Sequence, residues 1–189
     1  MATPMPLRQC LREATAAAHE RLHHHPGFAA IQDGTIDLAH YRSLLVRLYG
    51  FYVPFEAAAG IAGDRSNWLR ADLAAVGGYA LATIPRCTSL ARLDTQARQL
   101  GALYVVEGST LGGRHLARNL DRLFGSPVME GRRFLLGRGS STAAAWNVFL
   151  SRLAAAGSTR AARDEIVEAA VTTFSIFEEW LRDWSNVAA

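Results

Sequence analysis

Leu103-Tyr104-Val105-Val106-Glu107-Gly108-Ser109-Thr110-Leu111-Gly112-Gly113-Arg114-His115 is the stretch on which the fold turns. Apolar residues continue on both sides of it at helix spacing, from Leu93 to Leu123, so it reads as the middle of a long helix. Yet it carries Gly108, Gly112 and Gly113. Each glycine in a helix interior costs about 1 kcal/mol relative to alanine. Glycines four apart stack one turn above the other on a single face. A face without side chains suits one of two neighbours: a second helix crossing closely, or a large flat group lying on the backbone. The same glycines give the helix a place to kink.

The surrounding chain is built for helices. It has 189 residues, enough for one domain with a sizeable core, and half of them are apolar. Alanine is abundant and β-branched residues are sparse. Leu7, Leu11, Thr15, Ala18, His19 and Leu22 form a stripe on a first helix running to about His24, which Pro26 and Gly27 end. A loop with Asp33 and Gly34 follows. Thr35 or Asp37 caps a second helix, with Leu38, Tyr41, Leu44, Leu45, Leu48 and Tyr49 inward and Pro54 interrupting or dividing it. Ser66 or Asn67 caps a segment to Val76, closed by Gly77 and Gly78. Pro85 to Ser89 lead into the glycine-bearing helix, which Gly125 and Pro127 terminate. Residues 126–141 read as loop. Trp146, Phe149, Leu150 and Leu153 mark a further helix. Ser158 or Thr159 caps the last one, whose stripe is Ile166, Ala170, Phe174, Phe177 and Leu181. The expectation is a single all-α domain over 1–189, a bundle of seven to eight helices, with a short arm at 1–6 and a tail at 185–189.

Composition narrows the function classes. Net charge is +3, and every basic side chain is arginine, scattered among acids, so no nucleic-acid footprint emerges. Cys10 and Cys87 have no ligand-type spacing, and a reduced, cytoplasmic protein is expected. The start of the chain lacks the basic-then-apolar pattern of a secretion signal, and no apolar run reaches the length of a membrane span. There is no pair of Glu-x-x-His motifs for a di-iron bundle, no phosphate loop and no Gly-x-Ser-x-Gly elbow.

Six histidines remain to be placed. His23, His24 and His25 stand at a helix end, where imidazoles suit the C-terminus, with adventitious metal binding as the second reading. His40 falls in the first turns of a helix, at the surface. His115 follows the glycine pair and is open to a ligand, core or exposed role. His19 lies on the apolar stripe of the first helix. A lone histidine there is more often a satisfied core residue. Here Ala16, Ala17 and Ala18 leave room beside it for a bulky planar group, and neutral imidazole is a good axial ligand for heme iron. Arg12, two turns earlier, lies near the same face and could reach a carboxylate, although a solvated arginine is the commoner case.

These residues resemble the heme oxygenase family, especially its bacterial biliverdin-forming members, from about Leu7 to Trp184. Arg12-Glu13-Ala14-Thr15-Ala16-Ala17-Ala18-His19 is similar to the family's proximal helix, and Tyr104 to Gly113 to its distal helix, which kinks over the heme. Trp146 and the segment Val167 to Leu181 resemble the C-terminal helices. The resemblance implies heme b, both substrate and cofactor, between the proximal and distal helices. It implies His19 as the metal ligand and Arg12 and Tyr104 as partners of the propionates. Phe174 would lie at the heme edge, with Gly108, Ser109, Gly112 and Gly113 on the catalytic distal side. Ser109 stands where mammalian-type sequences have an aspartate, and bacterial relatives share the serine. The basic residues of the mammalian-type pattern near Trp146 and Leu150 are missing, which leaves Arg133, Arg138 or Arg152 for that side. The implied reaction uses O2 and cleaves heme to biliverdin, CO and ferrous iron. The chain shows no flavin or iron–sulfur motif, so electrons would come from an external donor, a ferredoxin or reductase, docked on a basic rim around Arg12. A phytochrome or other biliverdin acceptor would be a further partner. The competing readings are a non-catalytic heme carrier or sensor on the same fold and a heme-free thiaminase-like enzyme.

Overall fold

The computed structural model describes residues 5–77, 80–126 and 128–184. The first four residues of the expected arm, Gly78, Pro127 and the tail 185–189 lie outside the described residues. The helices run α1 Leu7–His23, α2 Pro26–Gln32, α3 Leu38–Ala58, α4 Asp64–Val76 and α5 Gln96–Asn119. After these come α6 Asp121–Phe124, α7 Arg133–Leu136, α8 Thr142–Ala156 and α9 Arg160–Leu181. Both α6 and α7 are single turns. The fold is all-α, as the periodicity predicts.

The core is organised on α9. Its stripe of Ile166, Ala170, Phe174, Phe177 and Leu181 is buried, as read from the sequence. Both α1 and α5 pack along it, so α9 forms a floor between them. The α5–α9 crossing is close because residue 101 has no side chain. A Cβ at Gly101 would come within 2.2 Å of the Ile166 carbonyl oxygen. Thr95 caps α5 through the backbone N–H of Arg98, and Thr159 caps α9 through that of Ala162.

Leu38, expected inward, is exposed, the glycine-bearing helix ends at Asn119 ahead of the separate turn α6, and other sequence expectations change as well. Pro26 and Gly27 end α1, but Pro26 also occupies the first turn of α2, where a missing N–H costs nothing. The predicted loop is therefore a helix as far as Gln32. Pro54 does not divide α3. Its missing N–H orphans the carbonyl of Gly50 four residues earlier, and the backbone N–H of Cys87 donates to that carbonyl at 3.0 Å. The same crossing segment explains Gly50, where a Cβ would meet the Pro85 carbonyl oxygen at 2.4 Å. Ser66 and Asn67 lie inside α4 and do not cap it. The cap is Glu56 of α3, whose carboxylate accepts from the N–H groups of Arg65 and Ser66 at 2.8 and 3.1 Å. Within 126–141 the turn α7 forms because Asp72 of α4 accepts from the N–H groups of Arg133 and Phe134 at 2.7 and 2.8 Å. Burial of Asp72 raises its pKa to about 6 against these two hydrogen bonds and the Arg133 charge.

A candidate heme crevice between α1 and α5

On α1, Arg8, Arg12, Ala16, His19 and His23 follow one another at four- and three-residue steps and share one face. His19 is exposed. Its ring lies 4.6 Å from that of His23 and 6.4 Å, edge-on, from that of Phe174 on α9. Partial burial, and then the adjacent His23, hold the His19 pKa below the usual histidine value, while Glu20 opposes them. The shift favours the neutral imidazole, the form that ligates. The end of α1 is fixed to α9 by Arg21, which donates two hydrogen bonds to the Glu178 carboxylate at 2.7 and 2.8 Å.

The histidine triplet divides into separate roles. His24 meets Glu20 at 3.0 Å on the surface. His25 caps α2, accepting from the Gly27 N–H at 3.2 Å, and its other ring nitrogen meets the Leu181 carbonyl at 3.0 Å. The only side-chain cap in the triplet therefore serves the start of α2 and not the end of α1. His40 pairs with Asp37 at 2.8 Å, and His115 is exposed on α5.

On α5, Tyr104, Gly108 and Gly112 share a face. Tyr104 packs 5.7 Å from Trp146 of α8, which in turn stacks on Phe149. Burial pushes the Tyr104 phenol up, while the charges of Arg8 and Arg12 pull it down. Those two charges of α1 are near enough to the Tyr104 hydroxyl to act on it. Arg8 has no counterpart among the sequence candidates. Its signal was present, one turn before Arg12 on the same stripe.

The three glycines separate by environment. A Cβ at Gly113 would lie 2.4 Å from the Leu135 carbonyl oxygen, so that glycine seats α7 against α5. At Gly108 the nearest atom is on the Trp146 ring at 3.7 Å, an ordinary contact. At Gly112 nothing lies within 4 Å. Gly112, Ser109 and Leu111 are exposed, as are Ala16 and Ala17 across on α1 and Val171 on α9. Gly112 therefore presents bare backbone that no part of the described chain covers, while Gly108 lies half-buried under Trp146. A kinked helix belongs to this fold. Ser109 Oγ donates back to the Val106 carbonyl at 2.9 Å and Thr110 Oγ1 to that of Glu107 at 2.6 Å, bonds that bend helices.

A polar network lies beneath this stretch of α5. The buried Arg65 pairs with Glu107 at 3.0 Å, and Arg138 meets the other Glu107 oxygen at 3.0 Å and Asp64 at 3.6 Å. Arg138 is thereby committed to carboxylates of this chain, and Arg133 meets Glu130 at 3.6 Å. Arg152 stays exposed. Burial pushes the Tyr52 phenol up, while the Arg65 charge and then the nearby Ser109 hydroxyl pull it down. Tyr52, Arg65 and Glu107 escape a sequence reading because they come from three helices. The residues fit a heme: a neutral imidazole with free ring nitrogens, bare glycine backbone, an apolar floor and arginines for carboxylates.

A family model described as heme oxygenase matches residues 5–183. No curated protein matches the chain by sequence. The heme oxygenase of Leptospira interrogans superposes with a TM-score of 0.76 at 18% identity, covering 95% of this chain and 100% of that one. Heme oxygenase-1 of the cyanobacterium Synechocystis, in complex with heme, gives 0.76 at 17% identity, with coverage of 95% and 92%. The NO- and CO-bound enzyme of Neisseria meningitidis gives 0.70 at 20% identity, with coverage of 98% and 95%. With the family model spanning nearly all of the described residues, the chain belongs to the heme oxygenase family.

Proposed function

We propose that the chain is a heme oxygenase, cleaving heme to biliverdin, CO and ferrous iron with O2 and electrons from an external ferredoxin or reductase. The observation that carries this is the pairing of two faces across α9. One bears Arg8, Arg12 and His19, and the other bears Tyr104, Gly108 and Gly112. Heme supplies the iron that activates O2 and is itself the molecule oxidised. His19 would hold the iron from one side as a neutral ligand. Arg12, Arg8 and the Tyr104 hydroxyl would bind the propionates by charge-assisted hydrogen bonds, which orient the ring. Phe174 would pack at its edge. Gly108 and Gly112, which carry no side chains, would leave room beside the group for a small gas, with Gly113 acting at one remove by seating α7. Ser109 and Tyr52 offer hydroxyls that can hold water and pass a proton toward that space. Delivery of biliverdin to a phytochrome or other acceptor fits the product. No described helix is long and apolar enough to cross a membrane.

The test is to add hemin and reductant under air and follow the Soret band. Its decay into a biliverdin spectrum supports turnover. A stable band makes the chain a heme carrier, and no band at all removes heme from the reading. His19→Ala is expected to lose the histidine-ligated spectrum and turnover together. An unchanged spectrum in that variant overturns His19 as the ligand.

A further inference from the structure

His19-Glu20-Arg21-Leu22-His23 places two imidazoles four residues apart on one exposed helix face, an arrangement that chelates divalent transition ions. We propose that His19 and His23 form a two-histidine site for a borderline divalent cation such as Zn2+ or Cu2+, which occupies the apo protein and is mutually exclusive with heme, the heme displacing it.

The two rings are 4.6 Å apart at 64°. Two imidazole nitrogens sharing one ion at 2.0–2.1 Å would sit roughly 3.3 Å from each other, within reach of this pair by side-chain rotation. Both residues are exposed, so water can complete the coordination. Among the described residues no hydrogen bond engages either ring. The other histidines are spoken for: His24 by Glu20, His25 at both nitrogens, and His40 by Asp37. His115 stands alone on α5. The site is therefore the pair on α1 and not the triplet.

The motif also has the His-Glu-x-x-His spacing of zinc peptidases, but the chemistry stops at chelation. Those enzymes need a third protein ligand, and no group of three histidine, cysteine or carboxylate residues among the described residues could hold an ion. Glu20, the residue that would act as base, is turned to His24. With two ligands the ion is held reversibly, and imidazole favours Zn2+ and Cu2+ over Mg2+ or Ca2+. The mutual exclusion rests on the proposed role of His19: one imidazole cannot ligate both metals.

The experiment titrates Cu2+ into the apo protein and reads stoichiometry by calorimetry and ligand nitrogens by electron paramagnetic resonance. The wild type is expected to take one equivalent with two nitrogen ligands. His23→Ala should lose that site with an unchanged circular dichroism spectrum and still bind hemin, and His24→Ala should keep it. Hemin added to the copper-loaded wild type should release the ion. Retention of the two-nitrogen signal in His23→Ala, or its loss in His24→Ala, overturns the site. Simultaneous binding of copper and hemin overturns the exclusion. If hemin does not bind the wild type at all while copper binds as stated, the metal site stands and the heme reading falls.

Discussion

Adjacent glycines at 112 and 113 should respond to alanine with opposite signs. At Gly112 an added methyl meets nothing within 4 Å, so the change in stability is the helix-propensity gain alone, about 1 kcal/mol. For a chain of this length that raises Tm by about 2–4 °C. At Gly113 the same methyl lies 2.4 Å from the Leu135 carbonyl oxygen and 3.2 Å from its carbon, both backbone atoms that cannot rotate away. Overpacking costs typically 1–3 kcal/mol, and this contact belongs at the upper end. Set against the same propensity gain, Gly113→Ala should lose about 2 kcal/mol, or roughly 4–8 °C. Thermal melts of the apo proteins measure both. Single-turnover biliverdin yield per folded molecule measures the other half of the argument. Gly112→Ala should lower the yield or divert it to peroxide release, because the methyl projects into the space where the heme is proposed to lie. Gly113→Ala should keep its yield. A destabilised Gly112→Ala with normal turnover would falsify the assignment of Gly112 to the wall of the crevice.

Three further outcomes are expected. Arg12→Ala and Tyr104→Phe should change heme seating, seen by NMR, and product regiochemistry more than affinity, since each charge-assisted bond is worth about 1.5–3 kcal/mol at most and less in solvent. No change in either would remove these residues from the propionate site. With its pKa raised to about 6, Asp72 keeps a proton in the folded chain that the unfolded chain has already lost above about pH 4. Stability should therefore fall as pH rises from about 4 to 6, by up to about 3 kcal/mol from this group, and then level off. Denaturant midpoints against pH check it, and Asp72→Asn should remove that component of the slope. Arg65→Met leaves Glu107 with Arg138 alone and should cost about 3 kcal/mol, part of which Arg65→Met with Glu107→Leu recovers. Urea melts of the two variants test this, and a neutral Arg65→Met would show that the buried pair adds nothing.

What the sequence revealed and what it hid differ in range along the chain. Thr159 and Asp37 are legible as caps because the N–H groups they satisfy belong to residues three positions on. Glu56 and Asp72 cap helices 9 and 61 residues away, and no local pattern distinguishes them from ordinary surface acids. Pro54 misleads for the same reason. The rule that proline breaks a helix assumes the orphaned carbonyl has no partner, and here Cys87 supplies one from beyond α4. The residues proposed for the heme side stand out in the sequence because each violates a local preference that the apo helix alone does not reward. The spacing puts a histidine on the apolar stripe of α1, although the structure turns His19 to the exposed face beside it, and glycines sit in a helix interior. Those violations could not be ranked from sequence, since all three glycines looked alike. Coordinates separate them: Gly113 is explained by Leu135, Gly108 has only an ordinary contact with Trp146, and Gly112 has no neighbour to account for it. Gly112 is thus the position where the folding of this chain alone gives no return on a cost of about 1 kcal/mol, and the return is best sought in something the crevice binds.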